Sequence, residues 1–164
     1  MTTNDALRQV RIDRVRNSHY TATNPRGGTL SVGDGSDDSF TPVELLLTAI
    51  GGCTAIDVDL ITSRRAEPDS FQVSVDATKV SDEHGNHLAD IVVTFTVAFP
   101  EGEAGDNARA ILPDIVKKSH ERLCTVSRTV ELGTHITPRI ELAGAVLTPV
   151  PGMPNPAPAP GRRS

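Results

Sequence analysis

Apolar residues fall on alternate positions in two stretches near the middle of the chain. In FQVSVDATKV (71–80) they are Phe71, Val73, Val75 and Ala77, and in HLADIVVTFTVAF (87–99) they are Ile91, Val93, Phe95, Val97 and Phe99. A period of two places one face of a strand on a core and the other in solvent. SDEHGN (81–86) lies between them, so the pair reads as an antiparallel hairpin. Nearer the N-terminus, LRQVRIDRV (7–15) alternates more loosely through Val10 and Ile12. HYTAT (19–23) and TLSVG (29–33) flank the turn-rich NPRGG (24–28), which predicts a second hairpin with Arg26 at its tip.

The pattern changes in FTPVELLLTAIGGCTAI (40–56). Thr41 is a good N-cap, Pro42 fits the first helical position, and Glu44 completes a capping box ahead of an apolar run. The helix is expected to continue to about Arg64-Arg65, whose charges suit its C-terminal dipole. Apolar residues occupy every face from Val43 to Ile56, which predicts a buried helix. Residues 108–123 carry Ile111, Ile115, Val116 and Leu123 at mostly helical spacing, with Pro113 predicting a kink or two short helices. THITPRIEL (134–142) is a last strand candidate. Strands, a buried helix, strands, a helix and a strand indicate an α+β class rather than a doubly wound α/β fold.

The chain has 164 residues, enough for one domain with a core of its own. Half of its twelve prolines fall between 149 and 160. The expected organisation is therefore one domain over 1–145 and a Pro-rich, unstructured tail over 146–164. With 3% aromatic residues, the core must be built from Val, Ile, Leu and Ala. A net charge of −5 argues against a general nucleic-acid binder. The longest uncharged apolar run, Leu45 to Ile56, is 12 residues, short of the roughly 20 that span a bilayer. MTTNDALRQVRID has no apolar signal region, so the expectation is a cytoplasmic protein with no membrane role.

The two cysteines, Cys53 and Cys124, read in such a chain either as buried thiols acting as small hydrophobes or as a redox pair. Cys53 follows Gly51 and Gly52 in mid-helix, and each glycine there costs roughly 1 kcal/mol relative to alanine. Two in succession point to close approach of another backbone or a ligand. A mid-helix thiol gets little from the helix dipole and needs a cation from elsewhere to ionise, and Asp57, one turn on, would oppose it. The five histidines form no metal pattern and no phosphate-cradling loop is present, so neither a metal nor a cofactor is expected.

PVELLLTAIGGCTA, followed much later by LCTVSRTVELG, resembles the OsmC/Ohr family of osmotically inducible and organic hydroperoxide resistance proteins. The first motif is more similar to its general OsmC-like branch. The likeness covers about residues 8 to 142 in element order. It implies an α+β fold with antiparallel sheets around a buried central helix, in an intertwined homodimer with sites at the subunit interface. It also implies a thiol peroxidase. Cys53 would attack an organic, for instance fatty-acid, hydroperoxide and become a sulfenic acid. Cys124 would resolve it to a disulfide, and a dithiol such as a lipoylated protein would reduce that disulfide. Arg26 matches the family's activating arginine. In the peroxidases a glutamate pairing with that arginine directly follows the helix-start proline. Here Val43 holds that place and Glu44 comes one residue later, about 100° around the helix. Glu44 therefore has two candidate roles, catalytic partner of Arg26 or acid of the capping box. Thr125 stands where the second motif has proline, and Ser127 and Arg128 suit packing and helix-end roles. Phe40, Val43, Leu46 and Ile50 are candidates for an apolar substrate pocket or for the core. The displaced Glu44 also supports an alternative, an OsmC-like redox-sensing or small-molecule-binding protein without efficient turnover.

Overall fold

A computed structural model describes residues 7–140 and 148–149. Three antiparallel strands come first: β1 (Arg11–Arg16), β2 (His19–Thr23) and β3 (Thr29–Val32), in that spatial order. The β2–β3 register pairs Thr21 with Ser31 and Thr23 with Thr29, which leaves residues 24–28 as the expected tip. Asn24 organises that tip: its side-chain carbonyl accepts from the backbone N–H groups of Arg26 at 2.9 Å and Gly28 at 3.1 Å. Gly27 takes a φ of 86° there, a conformation open to glycine.

Helix α1 (Pro42–Thr62) follows, with the expected capping box present in both directions. It stops at Thr62, so Arg64 and Arg65 lie beyond the helix and not in its last turn. Strands β4 (Ser70–Asp82) and β5 (Gly85–Ala98) form the long hairpin. Its core face pairs Phe71 with Val97, Val73 with Phe95 and Val75 with Val93, and Phe71 meets Phe95 edge-on at 6.1 Å. Helix α2 spans Glu103–Lys118 and runs through Pro113 without a break, starting earlier than its apolar spacing predicts. Arg109 ties its first turns down by donating to the carbonyl of Phe99 at 2.9 Å. A π-helical turn, Ser119–Leu123, carries the chain to Cys124, and the short helix α3 (Thr125–Glu131) begins there. Of the expected last strand, β6 (Arg139–Ile140) pairs with β7 (Thr148–Pro149). The boundary expected after residue 145, and the Pro-rich tail from 150 onward, lie outside the described residues.

α1 packs against β4, α2, the π-turn and α3, whereas the β1–β3 sheet makes its main contacts within itself. By length and composition α1 would pass for a membrane-crossing helix. Here it is the centre of the fold, and it is buried along one side only, through Ile50, Gly51, Thr54, Val58 and Thr62. This departs from the all-round burial that its composition predicts. Leu46, Ile56 and Leu60 stay exposed, Ile56 at 69% and Leu60 at 60%. With Ala49 and Cys53 they repeat at three- and four-residue spacing, a single apolar stripe on a helix. The β1–β3 sheet also exposes Ile12, Val15 and Leu30.

Candidate functional site

The site is where α1 meets the start of α3. Gly51 explains half of the glycine pair, because a Cβ there would come within 2.6 Å of Val75 Cγ2 on β4. The glycine lets α1 lie directly on the hairpin. A Cβ at Gly52 would meet nothing within 4 Å, since Gly52 borders an open cleft of about 430 Å³ with Phe40, Glu44 and Thr48. Seating the helix this way turns Cys53 toward the chain that leaves α2.

That chain is held from below. Ser119, fully buried at the start of the π-turn, donates to the Asp57 carboxylate of α1 at 2.8 Å. Cys124 N–H then donates to Ser119 C=O at 2.9 Å, which fixes Cys124 against α1. π-Turns recur at functional sites, and this one delivers the second cysteine. The result brings the Cys53 and Cys124 thiols near enough for each to perturb the other's ionisation, both free. Cys124 is 0% exposed and Cys53 is partly open.

The two sulfurs differ electrostatically. Burial pushes the Cys53 thiol up, and the neighbouring Cys124 and the Asp57 carboxylate push the same way. Only the Val126 N–H opposes them. Burial also opposes ionisation of Cys124, but hydrogen bonds outweigh it and hold this thiol below its ordinary value. Ser127 supplies the two largest, from its hydroxyl at 3.2 Å and its backbone N–H at 3.3 Å, followed by Cys53 and Thr54. In the single chain Cys124 is therefore the more acidic thiol. Among the described residues, no cation acts on Cys53, for which one is expected.

Arg26 is not part of this cluster. It is exposed at the β2–β3 tip. Glu44 is engaged with Thr41, accepting from its backbone N–H at 2.7 Å and from its hydroxyl at 2.8 Å. Those two bonds hold the Glu44 carboxyl below its ordinary range. The capping role is thus the one the geometry fills. Of the candidate pocket residues, Phe40 lines the cleft beside Gly52, while Ile50 lines a second cleft of about 450 Å³ with Val93, Phe95, Val116 and Val130. Val43 and Leu46 lie on the exposed part of α1. Among the described residues no group of three or more His, Cys, Asp or Glu side chains gathers as a metal site would require.

Sequence reading passed over Ser119 and Asn24, and gave Ser127 a packing or helix-end role rather than a contact with Cys124. Ser127 carries one legible signal, its place three residues after Cys124. That is the spacing at which a cap residue receives a bond from N3, and Cys124 is the cap.

The model of a family described as OsmC-like protein matches residues 34–139. An uncharacterized protein of Mycobacterium tuberculosis is 27% identical over 140 residues, 85% of this chain and 100% of its own length. Among solved structures, an OsmC-like protein of unknown function from Vibrio cholerae superposes with a TM-score of 0.63 at 14% identity, over 77% of this chain and 94% of its own. An organic hydroperoxide resistance protein OsmC from Legionella pneumophila gives 0.52 at 15% identity, over 76% of this chain and 90% of its own. Both likenesses are of fold.

Proposed function

The chain belongs to the OsmC-like protein family, and from that premise we propose that it is a thiol peroxidase that reduces organic hydroperoxides through Cys53 and Cys124. The observation that carries this reading is the proximity of the two free thiols, brought together from separate motifs. A chain needing only two core hydrophobes has no reason to set both thiols near each other and give one of them N–H and O–H donors.

In the proposed cycle the Cys53 thiolate attacks the distal oxygen of the hydroperoxide. The O–O bond breaks, the alkoxide takes a proton and leaves as the alcohol, and Cys53 is left as a sulfenic acid. The Cys124 thiolate attacks that sulfur, water leaves, and a Cys53–Cys124 disulfide forms. A dithiol reductant, such as a lipoyl group on a protein, restores both thiols and is itself oxidised to a cyclic disulfide.

The missing cation is supplied, in this reading, by a second copy of the chain. The exposed stripe of α1 centres on Cys53, and the β1–β3 sheet has apolar residues that its own chain leaves uncovered. A homodimer in which each sheet covers the other chain's α1 buries both. Arg26 stands at the tip of that sheet, and among the described residues its guanidinium makes no ion pair. Set across the interface, it lowers the Cys53 pKa by charge and hydrogen bonding. Glu44 keeps its capping role. The apolar cleft beside Gly52 would take the organic part of the hydroperoxide.

A second reading is a redox sensor or small-molecule binder without efficient turnover, and one observation favours it. Glu44 is held by Thr41 and is not free to orient an arginine. Cumene hydroperoxide with dihydrolipoamide separates the two. The peroxidase reading expects rapid turnover that Cys53→Ser abolishes and Cys124→Ser stalls after one event. A disulfide that forms without turnover selects the second reading. Thiols that do not react with hydroperoxide refute the peroxidase and the redox sensor alike.

A further inference from the structure

Ser127 has no part in the cycle above, yet it is buried and its hydroxyl lies 3.2 Å from the Cys124 sulfur. The same residue's backbone N–H lies 3.3 Å from that sulfur. Thr54 also neighbours Cys124, but its hydroxyl proton is given to the Ile50 carbonyl at 3.0 Å. Among the described residues Ser127 is thus the side-chain hydroxyl whose recorded bond goes to Cys124 alone. A neutral thiol is a weak acceptor, and a thiolate is a strong one. Two donors converging on one buried sulfur are an arrangement for holding it as an anion.

The disulfide state makes use of such an arrangement. Cys124 is fully buried and Cys53 is partly open, so an incoming thiolate reaches the Cys53 sulfur. Attack there breaks the S–S bond, and its electron pair leaves with Cys124. We propose that Ser127 is a positioning residue for the reductive half of the cycle, its hydroxyl and backbone N–H holding Cys124 as the leaving thiolate when a dithiol attacks Cys53. The reductant's first sulfur becomes a mixed disulfide with Cys53. Its second thiolate attacks the first sulfur, freeing Cys53, and Cys124 regains a proton from solvent. A leaving thiol of lower pKa leaves faster, and stabilising the reduced thiolate makes a disulfide more oxidising. The heightened acidity of Cys124 in the reduced protein agrees with this role.

The inference rests on the Cys53–Cys124 disulfide of the proposed function, but it is tested without hydroperoxide. Diamide forms the disulfide directly in full-length wild type and Ser127→Ala, and stopped flow follows its reduction by dihydrolipoamide. The expected result is a fall in rate on the order of tenfold, the loss of one hydrogen bond to a charged acceptor. The thiolate ultraviolet absorbance of Cys124, titrated in a Cys53→Ser background, moves to higher pH in Ser127→Ala. The midpoint against glutathione moves toward more reducing potential. Ser127→Thr, which keeps the hydroxyl, restores all three and separates the effect from a packing defect. Unchanged titration and reduction rate in a folded Ser127→Ala overturn the inference. Failure of the peroxidase reading would show instead as wild-type thiols inert to hydroperoxide, whatever Ser127→Ala does.

Discussion

Gly51 and Gly52 look identical in sequence and differ in their surroundings. Alanine at 51 gains helix propensity but drives its methyl into Val75 Cγ2, the end of a stiff branched side chain. Overpacking of this kind costs about 1–3 kcal/mol, which meets or exceeds the roughly 1 kcal/mol gained in propensity. Alanine at 52 enters open space and keeps that gain. Urea unfolding is expected to place Gly51→Ala below Gly52→Ala in midpoint; the reverse order would mean α1 does not lie on β4 as described. The glycine pair signalled a close approach, and one residue of the two makes it. The acidity of the cysteines was less legible. Asp57 opposing Cys53 follows from helical spacing, but the donors on Cys124 depend on Ser127 and on a π-turn anchored by the Ser119–Asp57 bond, a contact between distant segments.

At the scale of elements, the strongest local signals produced the expected structures. Period-two alternation gave β4 and β5, and Thr41-Pro42 with Glu44 gave the start of α1. α2 departs from expectation because its first turns are held by Arg109 and by the close approach of Gly105 to Pro100, not by an apolar stripe. The α1 cap yields two predictions. Thr41→Ala removes a capping hydroxyl and should cost about 1 kcal/mol, lowering Tm by about 2–4 °C. The Glu44 carboxyl has a folded pKa below its ordinary 4.5. Its contribution is therefore complete above the unfolded pKa and is lost as pH falls through the folded one. Tm measured from neutral pH down into the acid range should fall less steeply in Glu44→Gln than in wild type. Parallel curves would show that the Glu44 charge does not stabilise the cap.

For the whole molecule, the decisive feature is what one chain leaves bare. α1 buries one side and exposes Leu46, Ile56 and Leu60 around Cys53, and the β1–β3 sheet stands apart from it with apolar residues outward. All-round apolarity was readable in the sequence, and its meaning was not, since a single chain cannot say whose surface covers a helix. The dimer reading predicts that Ile56→Asp or Leu60→Asp, placing a charge on the stripe, shifts sedimentation toward monomer and slows peroxide reduction together. Arg26→Ala should slow the reaction of Cys53 with hydroperoxide while leaving assembly intact. A monomeric wild type with full activity would contradict the shared site.

The central claim is that a hydroperoxide joins Cys53 to Cys124. Reduced protein treated with one equivalent of cumene hydroperoxide, then alkylated and peptide-mapped by mass spectrometry, tests it directly. The account predicts that both thiols disappear together and that the peptides holding Cys53 and Cys124 are recovered as one disulfide-linked species within a single chain. Recovery of both cysteines alkylated, or of Cys53 over-oxidised beside an alkylated Cys124, would contradict it.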